Sequence, residues 1–407
     1  ALSLGSDRFG YIPHDPSYEV LYGTVAMWVR PMSIDGRQTF LAKDESGSDD
    51  GGHLRVGLDA GRLSFRVAPG DGGGNHAFRT NDVVFTVFFA ALNGALAFLL
   101  LQLLSRRGYT QRTERENVWL TVLFVFGSNH LWSAVRGEVW FTALIVGVTF
   151  HLAYLLFALD ARKPFWAGLM LAWAFATRAS LVLAAGFFYW QLFRPASGER
   201  FERKEQLKRL ALFSAPPLVA GLLLLWFNQV RFDNPMEFGH TYLAGGRMPR
   251  IRDFGLFHPA FLKRNLHAAF TLTPRFIDQP PHVQISKHGM SLFLSTPALV
   301  FLLRPKRWHR VATPALVGLL LLFGLILLYQ NTGWVQYGYR FSLDFLPYAL
   351  ILLAVGAPKV GKLFQGLILV GVLVNAIGAA GFGRTMLGKY TAEFGCPEPK
   401  LEAPKAR

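Results

Sequence analysis

Long apolar runs separated by short polar joints occupy the chain from residue 82 to residue 381. Runs such as 82–104, 118–135 and 311–330 are nearly free of charged residues. A helix needs about 20 apolar residues to cross the hydrocarbon core of a bilayer, so such runs predict membrane-embedded helices. The pattern predicts an all-α polytopic membrane domain at 78–381 with about ten helices. Their expected positions are 82–104, 118–135, 139–159, 165–177, 180–193, 210–227, 289–303, 311–330, 342–357 and 363–380.

Residues 1–77 follow a different pattern, in which apolar positions alternate with other residues. The alternation is clear at 25–29, 54–58 and 63–67, with Ala60-Gly61 between the last two stretches. A period of two is typical of β-strands, and a short Gly-containing link between two strands is typical of a hairpin. The sequence therefore predicts an N-terminal antiparallel β domain that includes a hairpin.

Two further segments lack long apolar runs. The segment 228–288 is too long for a simple connector, because loops of that length usually hold structure of their own or carry function. The C-terminal residues 382–407 contain few apolar residues, with single Glu residues among Pro and Lys. We expect this tail to be disordered.

The basic residues lie mostly on one side of the predicted membrane domain. The short joints on the other side carry only Arg136, Arg178 and Arg340. Loops rich in Lys and Arg stay in the cytoplasm, so this asymmetry predicts the orientation of the chain in its membrane. The β domain, the segment 228–288 and both termini are expected on the outer face. The basic loops are 105–117, 160–163, 194–209, 304–310 and 358–362.

Composition narrows the expected partners of the chain. The net charge of +16 over 407 residues would suit nucleic acid, but the membrane topology accounts for it, so we expect no nucleic-acid partner. The single cysteine, Cys396, permits no internal disulfide. The eleven histidines are scattered, and the chain lacks a Gly-rich phosphate loop, so we expect no metal and no cofactor.

Several charged residues in the outer joints could bind an anion. Arg178 has apolar residues on both sides, which is costly at membrane depth unless the guanidinium meets an anion or water. A phosphate fits this requirement, because a guanidinium can bind it in a bidentate manner. The candidate phosphate-binding residues are Arg136, Arg178, Arg231 and Arg340. The alternative is that these arginines pair with carboxylates of the chain, namely Glu138, Asp233, Glu237 or Asp344.

The joint 331–344, which reads NTGWVQYGYRFSLD, concentrates aromatic rings and two opposite charges. Its rings could be interfacial anchors, and Arg340 could pair with Asp344 four residues later. The joint could instead form one wall of a polar substrate cavity, where charges at membrane depth are usually functional. The candidate cavity residues are Asn228, His240, His288, Tyr337 and Asp344.

The ordered series of joints resembles that of GT-C fold membrane glycosyltransferases, the superfamily of protein O-mannosyltransferases and aminoarabinose transferases. The resemblance covers 82–381 and is carried by NDVVFTVFFAALNGALAFLL, AVRGEVWFTAL, AGLMLAWAFATRASLVLAAGFF, WFNQVRFDNPMEFGH and YQNTGWVQYGYRFSLDFLPYALILLA. It implies a polyprenyl-phosphate-linked sugar as donor and transfer on the outer face to a glycan, protein or lipid acceptor. Such transfer needs a carboxylate to orient or deprotonate the acceptor and cations to stabilise the departing phosphate. The candidate carboxylates are Glu138, Asp233 and Glu237.

This chain departs from the family pattern at its beginning. The family has a first helix and an acidic outer loop where this chain has its β region. The resemblance therefore implies either an active transferase or a chain that lacks part of the catalytic apparatus.

The β region resembles part of a LamG-like concanavalin A jelly roll. The resemblance is carried by YIPHDPSYEVLYGTVAMWVRP, GRQTFLAKD and DDGGHLRVGLDAGRLSFRV, in that order. It implies carbohydrate binding. The alternative function is therefore a membrane-anchored carbohydrate-binding or adhesion protein without catalysis.

Overall fold

The chain folds as two units, Ala1–Asn81 and Asp82–Arg407. The computed structural model describes residues 37–43, 53–59, 62–68, 76–79, 82–239, 248–278, 282–382 and 391–396. The described part of the first unit is β-structure, and that of the second is predominantly helical. The assignment of either unit to the outer face stays a prediction.

The first unit contains an antiparallel sheet with its strands in sequence order. Val56 lies opposite Phe65 and Leu58 lies opposite Leu63, so the hairpin predicted from the alternation is confirmed. The turn expected at 60–61 and the strand expected at 25–29 lie outside the described residues. The strands are β1 (Arg37–Lys43), β2 (His53–Asp59), β3 (Arg62–Ala68) and β4 (His76–Arg79).

The second unit has, within its described residues, four helices long and apolar enough to cross a membrane. The predominantly helical character of this unit is confirmed, but the count of ten membrane helices is not. The candidate span of α4 extends to Ala161 through the turn Leu159–Ala161, in which Asp160 has left-handed backbone with φ 58°. The four helices are α1 (Asp82–Arg106), α4 (Val139–Ala158), α7 (Arg203–Phe232) and α13 (Lys362–Gly381).

Shorter helices and turns fill the rest of the unit. The α-helices are α2 (Glu114–Val125), α3 (Asn129–Ala134), α5 (Pro164–Thr177), α6 (Ala185–Phe193), α8 (Met248–Phe254), α9 (Leu262–Leu266), α10 (Leu292–Ser295), α11 (Ala312–Leu328) and α12 (Leu346–Gly356). The further 3₁₀ segments are Ala179–Ala184, Pro259–Phe261, Pro297–Leu303 and Arg340–Asp344, and His267–Thr271 is a π-helical turn.

The single helices expected at 118–135, 289–303 and 342–357 are each broken. The first ends at Val125, and a new helix begins after Ser128, whose hydroxyl accepts from the His130 amide and caps it. A proline disfavours helical backbone in the residue before it, so the second changes from α10 to a 3₁₀ segment at Pro297. The third is 3₁₀ up to Asp344 and becomes α-helical only from Leu346.

Helix α4 lies inside the unit, whereas α7 lies at its edge. The hydrophobic window of α4 is 61% buried and that of α7 only 6% buried. Helix α7 packs on α5, where a Cβ on Gly168 would come within 2.1 Å of the Phe213 carbonyl oxygen. Helix α4 can therefore carry functional groups into the interior of the unit, and α7 is suited to face lipid.

The segment 228–288 and part of the tail meet in a small sheet. It consists of β5 (Arg275–Phe276), β6 (Val283–Ser286) and β7 (Thr391–Ala392), with β7 parallel to β6. The Ser286 hydroxyl donates to the Phe394 carbonyl over 2.6 Å. The disorder expected throughout 382–407 stays a prediction, although Thr391 and Ala392 have backbone partners in β6. Residues 383–390 and 397–407 lie outside the described residues.

Arg112, in the loop between α1 and α2, closes the C-terminal end of α12. Its guanidinium donates to the carbonyl oxygens of Leu353 at 2.9 Å, Ala354 at 3.1 Å, Ala357 at 2.7 Å and Pro358 at 2.8 Å. The last carbonyls of a helix lack partners within the helix, so this side chain supplies them. We call this arrangement the Arg112 clasp.

Candidate functional site

A bidentate ion pair joins α5 to the 3₁₀ segment before α12. The Nε of Arg178 donates to Asp344 Oδ1 over 3.0 Å, and its Nη2 donates to Oδ2 over 2.7 Å. The Ser180 hydroxyl donates to the same Oδ2 over 2.8 Å. The Asp344 side chain is 2% exposed and that of Arg178 is 21% exposed. Of the alternatives for Arg178, the structure has the internal salt bridge.

Local backbone geometry sets the position of Arg178. Helix α5 ends at Thr177, and Arg178 has extended backbone with φ −143° and ψ 104°. The chain then turns into the 3₁₀ segment that carries Ser180. This break directs two donors from neighbouring residues to one buried carboxylate.

Two phenylalanine rings connect Arg178 with two of the other predicted arginines. The guanidinium carbons of Arg178 and Arg340 lie 5.5 and 5.4 Å from the centre of the Phe341 ring. Arg340 also lies 4.8 Å from the centre of the Phe141 ring, and Arg136 lies 5.8 Å from the same centre. We call the series Arg136, Phe141, Arg340, Phe341 and Arg178 the arginine–phenylalanine row.

The row brings three guanidinium groups together around two aromatic rings. A ring face attracts a cation by about 0.5–2 kcal/mol but carries no net charge. Glu138 pairs with Arg136, and Asp344 pairs with Arg178. Stacking holds a guanidinium by its face and leaves its N–H edges for hydrogen bonds. The arrangement suits an anion with several oxygen atoms.

Glu138 is the accessible carboxylate of the row. It occupies the N-cap position of α4, and 49% of its side chain is exposed, against 2% for Asp344. Asp344 already accepts three hydrogen bonds from Arg178 and Ser180 and is shielded from solvent. Of these two groups, only Glu138 can reach a hydroxyl group of an incoming molecule.

The joint 331–344 is held together by one amide side chain. Gln336 Nε2 donates to the carbonyl oxygens of His288 and Thr332, each over 2.7 Å, and its Oε1 accepts from the Arg340 amide over 2.9 Å. Val335 has φ 52°, a conformation that β-branched residues rarely adopt. The Gln336 bonds therefore fix a strained turn immediately before Arg340.

His288 is buried against this turn. Its Nδ1 lies 2.7 Å from the Thr332 hydroxyl, and its ring packs edge-on against Trp334 with the ring centres 5.0 Å apart. Burial, together with the positive charges of Arg264 and Arg250, lowers the pKa of His288 to about 4. The imidazole is therefore neutral at physiological pH. It lines the turn and makes no ion pair with a phosphate.

Neutral burial of His288 predicts a loss of stability in mild acid. The folded-state pKa of about 4 lies below the ordinary value of 6.5, so between these values the unfolded chain binds more protons. The contribution of His288 to the free energy of unfolding should fall by about 2 kcal/mol between about pH 7 and about pH 5. Other buried histidines add to the total fall, so His288→Gln should reduce it by about this amount, as measured from unfolding midpoints at the two pH values.

The exposed His258 supplies a control for that measurement. His258→Gln should retain the acid sensitivity of the unaltered protein. An equal fall in the unaltered protein and in His288→Gln would show that another group titrates.

Three polar residues near the row were not expected from the sequence. The Tyr339 hydroxyl and both ring nitrogens of His151 are buried and have no hydrogen-bond partner within the described part of the chain. Burial, with a smaller contribution from the Asp344 carboxylate, raises the pKa of Tyr339. Ser180 is the third. His151 could have been flagged as a lone polar residue in the apolar run of α4, whereas Tyr339 had no comparable signal.

Tyr337, expected in the cavity, packs into the helical unit. Its hydroxyl donates to the Val374 carbonyl of α13 over 2.8 Å, and its ring lies edge-on to Phe382. A Cβ on Gly378 would come within 2.4 Å of the Tyr337 ring, so α13 needs a glycine there. Burial raises the pKa of Tyr337 to about 12. Its contacts are those of a packing residue.

The candidates from the start of the outer segment lie at the end of α7. Asn228 Nδ2 donates to the Pro235 carbonyl over 3.2 Å. The Arg231 guanidinium stacks on Phe227 and Phe232, and Asp233 ends the helix with φ 52°. Glu237 follows in the next turn, where its amide donates to the Asn234 carbonyl. His240 lies outside the described residues. That Asn228, Arg231, Asp233 and Glu237 share a site with the row stays a prediction.

An apolar cavity of about 400 Å³ begins next to Asp344. Phe345 lines it, together with Phe323 of α11 and Phe270 of the π-helical turn. At its other end it is lined by Leu303, Pro305 and Trp308. Its walls are almost wholly apolar, so it suits a hydrocarbon chain.

Within the described residues, no group of three or more His, Cys, Asp and Glu side chains is placed to hold a metal ion. No protein-family model, curated protein or solved structure was found to match the chain. The function of the chain is therefore inferred from the geometry of the arginine–phenylalanine row and its surroundings.

Proposed function

We propose that the second unit is a GT-C-like membrane glycosyltransferase that uses a polyprenyl-phosphate-linked sugar. The observation that carries the proposal is the arginine–phenylalanine row, with the exposed Glu138 at one end. A leaving phosphate gains negative charge as its bond to the sugar breaks, and clustered guanidinium groups stabilise that charge.

In the proposed reaction, the bond between the sugar C1 and the phosphate oxygen breaks, and a bond forms between C1 and an acceptor hydroxyl. Polyprenyl phosphate leaves with the electron pair of the broken bond. Arg340 and Arg136 bind its oxygens, and Arg178 contributes as Asp344 gives up part of its bidentate contact. Glu138 accepts the proton of the acceptor hydroxyl.

The apolar cavity gives the polyprenyl chain a place. Phe345, in its wall, directly follows Asp344, so a lipid in the cavity would have its phosphate near Arg178. The hydrocarbon chain would then extend along α11 and α12 toward Trp308. A cavity with few polar groups binds such a chain by removing apolar surface from water.

The finer membrane arrangement belongs to the same proposal. We infer about ten membrane-embedded helices, of which the shorter ones cross only with their neighbours' help. The bacterial inner membrane would hold the protein, with the row, both termini and the first unit on the outer face. The clustering of Lys and Arg in the opposite loops supports this orientation.

Release of polyprenyl phosphate tests the proposal. The purified full-length chain, given polyprenyl-phosphate sugars and membrane acceptors, should release polyprenyl phosphate. Arg340→Gln should lower the rate about hundredfold, because loss of one donor to a developing anion has an effect of that order. Arg252→Gln, at an exposed position in the outer segment, should stay within about twofold.

Two results would contradict the proposal in different ways. A folded protein that releases no polyprenyl phosphate from any donor would remove the transferase function. An unchanged rate in Arg340→Gln would leave a transferase but remove the row from phosphate binding.

A second candidate function is a membrane-anchored carbohydrate-binding protein. The observation in its favour is the antiparallel sheet of the first unit, a fold element that carbohydrate-binding sandwiches also use. Glycan binding by the full chain without donor turnover would favour it over the transferase. Turnover without any glycan binding by the first unit would exclude it.

A further inference from the structure

A groove of about 620 Å³ lies between the C-terminal ends of α1 and α4, on the side of the basic loops. Its walls include Phe98, Leu99 and Leu103 of α1, and Leu156 and Phe157 of α4. These side chains are all partly or largely exposed. Its α4 residues lie at the C-terminal end of that helix, whereas Phe141 of the arginine–phenylalanine row lies at the N-terminal end.

Four cations line the groove where the two helices end: Arg106, Arg107, Arg162 and Lys163. Glu114 is the acidic residue among the lining side chains. Within the described part of the chain, Arg106, Arg162 and Lys163 make no ion pair, and all three are exposed. The groove therefore carries a net positive charge at this end.

The buried Asp160 does not neutralise these three cations. It pairs with Arg107 and accepts from the Tyr109 hydroxyl over 2.8 Å. Its other oxygen accepts from the Ser197 amide over 2.9 Å. Asp160 and Ala161 both have left-handed backbone, with φ 58° and 51°, a strained turn that these bonds hold in place. This turn leads directly to Arg162 and Lys163.

The side chains that line the groove change from apolar to charged along α1. Phe98, Gln102 and Arg106 are spaced four residues apart and so lie on one line of α1. With a rise of 1.5 Å per residue, Phe98 lies about 12 Å deeper than Arg106. Acyl carbons can therefore contact Phe98 while a phosphate contacts the cations.

An aromatic ring marks the depth of the interface. Trp166, in the first turn of α5, is 51% exposed and packs on Phe157 with ring centres 6.4 Å apart. Tryptophan is enriched where hydrocarbon meets headgroups. Lys163 lies 5.7 Å from the centre of the same Phe157 ring. The cations are thus at headgroup depth.

We propose that this groove binds an anionic phospholipid from the leaflet on the basic side. The phosphate contacts Arg106, Arg162 and Lys163, and one acyl chain lies along Phe98, Leu99 and Leu103. The site requires insertion in a membrane but does not depend on glycosyl transfer.

Lipid competition on the purified full-length chain tests the site. Native mass spectrometry with phosphatidylglycerol and phosphatidylcholine should show preferential binding of phosphatidylglycerol. The triple variant Arg106→Gln/Arg162→Gln/Lys163→Gln should lose about tenfold or more of that preference, since each surface cation adds to anionic-lipid binding. Arg107 is left in place because its loss would strand the buried Asp160 without its counter-charge.

The variant Arg200→Gln/Arg203→Gln/Lys204→Gln is the matched control. It likewise removes two arginines and one lysine, from exposed positions in the basic segment 194–209 at the start of α7, and it should keep the preference. Leu103→Trp, which fills the groove and keeps every charge, should lower the binding of both lipids. Inorganic phosphate at millimolar concentration should not displace phosphatidylglycerol.

Several results would overturn the proposal. They are equal binding of the two lipids by the unaltered protein, equal loss in the two triple variants, unaffected binding in Leu103→Trp, and displacement by inorganic phosphate. Equal loss would mean general attraction to the basic side, and displacement would mean a site for a free anion. Should the groove triple variant not fold, Leu103→Trp alone decides.

Discussion

Arg178→Ala should destabilise the protein by about 3 kcal/mol and abolish donor turnover. The substitution leaves the carboxylate of Asp344, which is 2% exposed, with only the Ser180 hydroxyl as a donor. Breaking a buried ion pair by removing one partner leaves an uncompensated charge, which costs about 3–5 kcal/mol. The lower value applies because the Arg178 side chain is 21% exposed. Unfolding midpoints in detergent measure the first effect, and release of polyprenyl phosphate measures the second.

A double variant separates the two effects. Arg178→Ala/Asp344→Asn removes the stranded charge and should regain most of the lost stability. It should remain inactive, because it still lacks the guanidinium that the proposed reaction assigns to the leaving phosphate. Arg252→Ala breaks an exposed pair with Asp253 and should leave the unfolding midpoint unchanged.

Two outcomes would count against this account of Arg178. Equal midpoints for Arg178→Ala and Arg252→Ala would mean that the buried pair contributes nothing. Full turnover by the stable double variant would remove Arg178 from the mechanism and leave it a structural residue.

Arg112→Met should destabilise the protein by about 4 kcal/mol, through loss of the Arg112 clasp. Methionine keeps much of the side-chain volume but donates no hydrogen bond. Four carbonyl groups at the end of α12 and the Glu116 carboxylate, at 3.0 Å, then lose a shared donor. Each buried polar group left without a partner costs about 1–3 kcal/mol, and some relax toward water.

The stability of Arg112→Lys should lie between those of the unaltered protein and Arg112→Met. An ammonium is a point donor and cannot donate to several carbonyls in one plane. The control is Arg115→Met, which removes the same charge at an exposed position three residues later. It should leave the unfolding midpoint nearly unchanged. Similar midpoints for Arg112→Met and Arg115→Met would contradict a stabilising role for the clasp.

The sequence predicted elements well where one local pattern ran without interruption. Period-two alternation predicted the hairpin of β2 and β3, and the register pairs Val56 with Phe65 as that alternation requires. The apolar run at 82–104 became α1, and the run at 363–380 became α13. The charged residues before residue 210 did not signal helix, although α7 begins at Arg203 and Arg209 pairs with Glu205 within it. Hydropathy detects the part of a helix that lies in lipid, and it misses the part that continues into water.

The sequence singled out charged residues of the candidate site, but it did not predict which side chains contact one another there. A lone arginine between apolar runs predicted that Arg178 needs an anion, but the partner, Asp344, lies 166 residues further along the chain. One sequence does not reveal such a distant pairing. The same limit hid the two phenylalanines that connect the arginines, since an apolar ring in an apolar run carries no distinguishing signal. The packing of Tyr337 against α13 was not predictable either, because it depends on Gly378, which is also distant.

The parallel pairing of β6 with β7 constrains how the polypeptide threads the bilayer. Two strands joined by backbone hydrogen bonds must occupy the same compartment, because an open strand pair cannot extend through hydrocarbon. The polypeptide must therefore cross the membrane an even number of times between Ser286 and Thr391. The number of full spans between α10 and α13 must therefore be even. The last described residues share a compartment with the segment before α10.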